Sequence, residues 1–361
     1  MGEQGKPTPK GRGSPINPPK RFEKTHRETD WEQIEHDEEY LAALSRPKTE
    51  YLPDKSKSII SENDSPDIPF RFSLNPYRGC SHGCSYCYAR PTHEYLGLSA
   101  GLDFETKIFV KHDAAKLFRQ FLSRPKWTPE PIVLSGVTDP YQPAERDFQI
   151  TRQCLEVALE ARQPMDIITK NALIGRDLDL LREMAALRIV RAFVSVTTLD
   201  AELARTMEPR TSTPTARLTA IRTLADAGVP VQVMVAPIVP GLNDSEIPAI
   251  LAAAADAGAK AAGYVMLRLP LAVGPIFMAW IDQHRPTAKK RIENAIRATR
   301  AGALNSSAFG ERMKGQGLMA EQVAKLFRTF AKRLGLDRTL APTARDLFRR
   351  PGLTPGQNWL F

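Results

Sequence analysis

Short apolar runs alternate with longer amphipathic stretches between Asp67 and His284. The apolar runs are Phe70–Leu74, Ile132–Leu134, Asp166–Thr169, Phe193–Thr197, Val231–Val235 and Tyr264–Leu267. Each is brief and turn-bounded, as expected of a strand buried on both faces. Between them, Asp113–Leu122, Thr151–Ala161, Asp177–Leu187, Thr213–Ala227 and Asn243–Ala257 place apolar residues at helical spacing. Ala227-Gly228-Val229-Pro230 reads as a helix stop running straight into a strand, and Ala257-Gly258-Ala259 repeats the signal. Six β/α units predict a parallel sheet, either doubly wound or rolled into a partial barrel. Lys107–Val110 is a candidate added edge strand.

The flanks follow other rules. Residues 1–66 read as a mostly disordered lead-in, because Gly5–Pro19 is rich in Pro, Gly, Ser and Lys and cannot bury a core. Within it, the spacing of Trp31, Ile34, Leu41 and Leu44 predicts one helix over Trp31–Leu44. Beyond His284 the strands stop. Thr287–Arg300 and Ala320–Leu334 predict helices, with Gly302–Gly317 a polar loop between them. Trp359-Leu360-Phe361 is expected to dock on the domain. The chain thus divides into a lead-in at 1–66, a barrel at 67–284 and a helical extension at 285–361.

Composition narrows the class. The 361 residues are 42% hydrophobic and 25% charged, so a large globular core is available. No apolar run approaches the roughly 20 residues a membrane span needs. The first residues lack the apolar segment of a secretory signal. The expected compartment is therefore the cytoplasm, with no membrane partner. The net charge of +9 is unevenly placed: +5 on residues 1–27, +11 on 285–361, and about −7 on the remainder. Basic ends can meet a phosphate backbone or simply form solvated faces. The acidic middle argues against a broad DNA-binding barrel face.

Three of the four cysteines fall within eight residues, and Cys154 sits alone in a helical pattern. A secreted disulfide framework is small and cysteine-dense, which this chain is not. Metal or cluster binding is the better reading of the three. They lie in Asn75-Pro-Tyr-Arg-Gly-Cys80-Ser-His-Gly-Cys84-Ser-Tyr-Cys87-Tyr-Ala-Arg90, just past the first predicted strand. Soft thiolates bind iron–sulfur clusters or zinc. Three thiolates on a four-iron cube leave one iron open, as a catalytic metal requires. Gly79 and Gly83 let the loop wrap a bulky core. A zinc site completed by His82 or His93 is the alternative, but the second ligand pair usual for such a site is missing. Cys154 reads as an inert buried hydrophobe.

This loop resembles the signature of radical S-adenosylmethionine (SAM) enzymes: cysteines separated by three and then two residues, with an aromatic just before the third. The likeness continues in order through residues 70–267. Within that superfamily the chain looks most like the spore photoproduct lyase-related (DNA repair photolyase-like) group. The carrying segments are the loop, Val137-Thr-Asp-Pro-Tyr-Gln-Pro143, Ile168-Thr-Lys170, Val194-Ser-Val-Thr-Thr198, Glu208-Pro-Arg210 and Ala236-Pro-Ile-Val-Pro-Gly-Leu-Asn-Asp244.

The resemblance implies an α/β fold, a partial (β/α)6 TIM-like barrel. It implies a 4Fe–4S cluster on Cys80, Cys84 and Cys87, with SAM chelating the open iron. It also implies a reductant such as flavodoxin or ferredoxin, and a 5′-deoxyadenosyl radical as the reactive species. Thr138 and Asp139 would support the methionine amino group, or merely start a turn. Lys170 would meet the carboxylate or ribose, or be an ordinary strand-end lysine. Ser195 would bond ribose or carboxylate, or be a satisfied core hydroxyl. Arg210 would hold a carboxylate, or pair with Glu208. Val235 and Pro237 would offer adenine an apolar face and backbone contacts, with Tyr86 on its other side. One departure stands out. The related lyases carry a hydrogen-donating cysteine shortly before the acidic residue of the second strand, and here Ser135-Gly136-Val137-Thr138-Asp139 has none. That departure weighs against a lyase, and the sequence names no substrate; nucleic acid, for repair or modification, is the leading candidate class. A protein or small metabolite is a further option. The reading of another class is a non-catalytic, metal-stabilised nucleic-acid-binding module.

Overall fold

A computed structural model gives the fold and describes residues 9–22, 45 and 47–352. Its strands are β1 (Glu50–Pro53), β2 (Ile60–Glu62), β3 (Phe72–Leu74), β4 (Tyr77–Arg78) and β5 (Lys107–Val110). They continue as β6 (Ile132–Leu134), β7 (Met165–Thr169), β8 (Val190–Ser195), β9 (Val231–Ile238) and β10 (Ala261–Met266). The main sheet runs β10-β9-β8-β7-β6-β3-β2. From β3 to β10 every neighbouring pair is parallel, and β2 adds antiparallel to β3. Six parallel strands in chain order, with no pairing that closes β10 onto β3 among the described residues, form a partial barrel. The fold class expected from the sequence is the one observed.

The longer helices are α1 (Ala114–Leu122), α2 (Ile150–Ala161), α3 (Leu178–Ala186), α4 (Ala201–Met207), α5 (Pro214–Asp226) and α6 (Ile247–Asp256). After the last strand come α7 (Val273–His284), α8 (Lys289–Ala298) and α9 (Gly317–Arg333). The five helices predicted between strands lie within a few residues of α1, α2, α3, α5 and α6. α4 was not anticipated. Its start is fixed by Asp200, whose side chain accepts from the backbone N–H groups of Glu202 and Leu203. α7 was also missed. A proline in its first turn is tolerated because that N–H would have no partner anyway.

The strand boundaries shift for physical reasons. β8 begins at Val190 rather than Phe193. Arg191, outside the apolar run, sits opposite Asp166 on β7, and its guanidinium pairs with that carboxylate at 2.6 and 2.7 Å. β10 begins at Ala261, where Gly263 leaves room for β9. A Cβ there would lie 2.7 Å from Gln232 Nε2 and 2.9 Å from Met234 Sδ. β5 is not an edge strand of the barrel. It is the centre of a second sheet, parallel to β1 and antiparallel to β4.

β1 and β2 both arise from the stretch expected to be disordered, and Arg12, Gly13 and Ser14 are buried. β1 is held by β5 and β2 by β3, while residues 12–14 are held by Glu105, described below. The predicted helix at Trp31–Leu44 and the docking of Trp359-Leu360-Phe361 lie outside the described residues. In the C-terminal extension, α9 buries Val323, Phe327 and Ala331 in the main core, and Phe327 packs on Tyr264 of β10 at 4.7 Å between ring centroids. The segment after α9 then covers the free edge of β10, with Ala262 N donating to Leu336 O at 2.9 Å. Among the described residues no helix is long and apolar enough to cross a membrane.

Candidate active site

The cluster loop leaves β3 at the end of the strands where parallel α/β folds gather their chemistry. Gly79 and Gly83 take the left-handed conformation, with φ of 77° and 67°. Neither position has space for a side chain. A Cβ at Gly79 would lie 2.8 Å from His93 Cε1, and one at Gly83 would lie 2.5 Å from Glu105 Oε2. Cys80 and Cys84 are buried and Cys87 is half-buried, and all three are free thiols. Burial is the largest cause pushing all three thiols up, joined by Asp139 at Cys80 and Glu208 at Cys84. Such thiols are held as ligands in waiting, since a cationic metal releases the proton that burial retains.

The loop is braced from behind by a buried ion pair. Arg90 and Glu105 have no exposed side-chain surface and meet at 2.5 Å. The guanidinium of Arg90 also donates to the carbonyl of Cys84 at 3.0 and 2.8 Å, and to those of Gly83, Ala100 and Gly101 at 3.3, 3.2 and 2.9 Å. The carboxylate of Glu105 accepts in turn from the backbone N–H of Ser14 at 2.8 Å and of Gly13 at 3.1 Å. Arg12 closes the same joint, donating to the Glu105 carbonyl at 3.0 Å. From the front, Gln142 clamps the loop: its Oε1 accepts from Ser81 N at 2.9 Å and its Nε2 donates to Gly79 O at 3.1 Å. Sequence reasoning assigned no role to Arg90, Glu105 or Gln142. Arg90 and Gln142 stood inside the quoted motifs, which was the only available signal.

Asp139 ties two strand ends together. Its carboxylate accepts from Tyr141 N at 2.9 Å, Thr169 Oγ1 at 2.7 Å and Lys170 N at 2.8 Å, with His82 Nδ1 at 3.5 Å. The Tyr141 contact is the turn anticipated as an alternative. Thr138 is held through Asn75, whose Oδ1 accepts from its backbone N–H at 3.3 Å; its hydroxyl makes only a 3.5 Å contact. Lys170 Nζ lies 6.0 Å from the centre of the Tyr86 ring, and its charge favours the thiolates of Cys84 and Cys87.

Tyr86 is buried, and its hydroxyl donates to Glu208. That carboxylate also accepts from Arg217 at 2.5 Å and Thr197 at 2.7 Å. Burial alone would push Glu208 up, but Arg217 and Lys170 outweigh it and leave the carboxyl below its ordinary value. Ser195 is buried nearby, its carbonyl accepting from Arg217 Nη1 at 3.2 Å.

Two expected cofactor contacts lie elsewhere. Arg210 is exposed; its side chain donates to Gly11 O and its backbone to His82 O, each at 3.2 Å. The buried arginine on Glu208 is Arg217, brought back by the first turns of α5. Val235 turns to the helix side of the sheet, in one core cluster with Val231 and Val233, as strand alternation requires. Pro237 ends the strand with its carbonyl accepting from Asn243 Nδ2 at 3.1 Å.

The donor set suits a cluster better than a zinc ion. His82 meets Asp139 and Asn171, and His93 meets the carbonyl of Lys107 at 2.9 Å, so both candidate fourth ligands are engaged. Among the described residues no three His, Cys, Asp or Glu side chains converge as ligands of one ion would. A cube, by contrast, takes its thiolates on separate irons. Cys154 is fully buried in the main core, away from the loop.

A family model described as the Radical SAM superfamily matches residues 74–254. An uncharacterised protein of Mycobacterium tuberculosis (strain ATCC 25618 / H37Rv) is 36% identical over 296 residues, covering 81% of this chain and 83% of that protein. An uncharacterised protein of Methanocaldococcus jannaschii is 28% identical over 199 residues, covering 55% of this chain and 71% of its own. Among solved structures, spore photoproduct lyase complexed with dinucleoside spore photoproduct aligns over 79% of both chains with a TM-score of 0.57. At 16% identity, that likeness is one of fold.

Proposed function

The chain belongs to the radical SAM superfamily, and from that premise we propose that Cys80, Cys84 and Cys87 hold a 4Fe–4S cluster at which SAM is reductively cleaved. The observation that carries this reading is the trio itself: three free thiols on one braced loop, with both neighbouring histidines engaged elsewhere. When bound, the cluster and SAM together supply a 5′-deoxyadenosyl radical that removes a hydrogen atom from substrate.

The protein's own work is to hold and to shield. Lys170 provides a cation that acts on both Cys84 and Cys87 and serves the cofactor carboxylate. Asp139 has most of its lone pairs engaged, so its role is to fix the backbone of Lys170 and the ring of His82. The hydroxyl of Thr138, with one long contact, is available to an ammonium group. Glu208 and Arg217 fix the phenol of Tyr86, which sets the ring as one wall of the pocket. Ser195 stands at the end of β8, where ribose would lie.

The substrate class the mouth favours is nucleic acid. Tyr88 follows the third cysteine, is exposed, and donates from its hydroxyl to Gly136 O at 2.6 Å. The guanidinium of Arg268 lies over its ring at 5.2 Å. Arg268 has no carboxylate partner among the described residues, and burial with Arg312 nearby lowers its pKa. An aromatic face beside a cation with no direct ion-pair partner among the described residues suits a stacked base and its phosphate. Anaerobic protein reconstituted with iron and sulfide should contain four irons per chain, as expected of one cube. It should release 5′-deoxyadenosine from SAM, faster when damaged DNA is added. Bound zinc without SAM cleavage would instead support the non-catalytic module. Cleavage indifferent to DNA would move the substrate to a protein or metabolite.

A further inference from the structure

The outer side of the cluster loop carries a cavity of about 510 Å³ between the lead-in and α7. Its lining includes Lys10, Arg12, Arg205, Trp280 and His284. Arg210 and Arg285 flank it, through their contacts with Gly11 and His284. Among the described residues no carboxylate pairs with Arg205, Arg210 or Arg285. The guanidinium of Arg12 gives its hydrogen bonds to neutral oxygens: the carbonyls of Glu105 and Pro47 at 3.0 and 2.6 Å and the Thr49 hydroxyl at 3.0 Å. The cations feel one another. Burial and then Arg210 lower Arg12 to about 10, and burial, Arg285 and Arg205 lower His284.

This face is also the back of the cysteine loop. Ser85 N donates to Met207 O at 3.0 Å, two residues from Arg205. Arg210 N donates to His82 O at 3.2 Å, and Gly13 packs on the carbonyl of Gly83. One hydrogen bond therefore separates the cationic surface from residues 82–85. Neither Lys170 nor Tyr88, which mark the proposed cofactor pocket and mouth, lines this cavity.

We propose that this cationic face docks a small acidic electron-carrier protein, which delivers its electron to the cluster through loop residues 82–85. The inference rests on the radical SAM reading above, since only a redox centre behind the loop gives the electron a destination. One electron leaves the carrier and enters the cluster; no bond forms or breaks and no proton moves. Uncompensated positive charge selects an acidic partner and speeds its encounter. Electron-transfer contacts are characteristically small and transient, which a shallow groove suits. Because the face shares no lining residue with the proposed mouth at Tyr88 and Arg268, carrier and substrate can be bound together.

The test uses the full chain with reconstituted cluster and two reductants, an acidic flavodoxin and dithionite. In Arg205→Glu/Arg285→Glu the rate of cluster reduction by reduced flavodoxin should fall at least ~10-fold at low salt, in line with lost electrostatic steering. Reduction by dithionite, and the 5′-deoxyadenosine it supports, should be unchanged. Added salt should slow the flavodoxin reaction of the wild type and leave that of the variant nearly flat. The milder Arg205→Gln/Arg285→Gln should show the same sign with a smaller fall. A flavodoxin rate unaltered in both variants, or a fall that dithionite shares, overturns the docking face. If the wild type cleaves no SAM even with dithionite, the radical SAM reading fails first and this inference with it.

Discussion

The backbone of Gly13 lies against the carbonyl of Gly83 so closely that a Cβ at position 13 would sit 1.6 Å from that oxygen. A residue of the lead-in is thus part of the wall behind the second cysteine. Gly13→Ala must push the two segments apart, at about 1–3 kcal/mol for overpacking of this kind. The expected result is a chain that folds but holds substoichiometric iron and sulfide after reconstitution, whereas Pro19→Ala, on the exposed part of the lead-in, loads normally. Full loading of Gly13→Ala would show that the contact does not shape the loop.

Glu105 is the counter-charge of Arg90 and the acceptor for the Gly13 and Ser14 amides at once. Glu105→Gln leaves a fully buried guanidinium without its anion, a loss of about 3–5 kcal/mol. Denaturant unfolding of the metal-free protein should report that loss. The outcome that contradicts it is a variant within about 1 kcal/mol of the wild type.

The phenol of Tyr86 and the guanidinium of Arg217 share the carboxylate of Glu208. Tyr86→Phe removes one hydrogen bond, and Glu208 keeps its ion pair. Its stability cost should be about 1 kcal/mol, and its KM for SAM should rise while kcat is largely kept. Glu208→Gln strands Arg217 and should cost about 3–5 kcal/mol. Equal effects from the two substitutions would argue against this hierarchy.

Lys111 gives a pH signature. Burial, opposed mainly by Asp54, lowers its ammonium from 10.5 to about 8. The unfolded chain keeps its proton to the higher value, so between the two it binds more protons than the fold. Stability therefore rises with pH across the window: the contribution is complete above 10.5 and lost as pH falls through about 8. The span corresponds to about 3 kcal/mol. Lys111→Met removes this titration. Urea midpoints should show the variant ahead of the wild type near neutrality, with the gap closing as the pH approaches the upper end of the window. A gap of constant size would refute the assignment.

The six barrel strands and the cysteine trio were legible because each is a local pattern. An apolar run bounded by turns, or three thiols within eight residues, needs no knowledge of distant chain. Legibility failed where partners are remote. The apolar run at Phe193 hid the true start of β8, because Arg191 finds its carboxylate, Asp166, on the neighbouring strand. Arg210 was read from the Glu208-Pro-Arg210 motif as a carboxylate holder, with a pair to Glu208 as the alternative, yet the helix after Thr213 returns Arg217 to Glu208 and leaves Arg210 facing outward. Val235 was expected to offer adenine an apolar surface, yet it alternates with Gln232, Met234 and Ala236 and is buried in the main core with Val231 and Val233. The lead-in was judged by composition, and composition cannot register that two of its amides are claimed by a carboxylate 92 and 91 residues away.

The joint between Ser14 and Glu105 also dictates an order of events during synthesis. The segment carrying Gly13 leaves the ribosome before the stretch around Glu105 and lacks that carboxylate until the stretch has followed it out. About ninety further residues must emerge before it can take its place. Inorganic sulfide and iron delivered before that moment would meet a loop still lacking its back wall, so maturation of the centre belongs after the whole of this region has emerged.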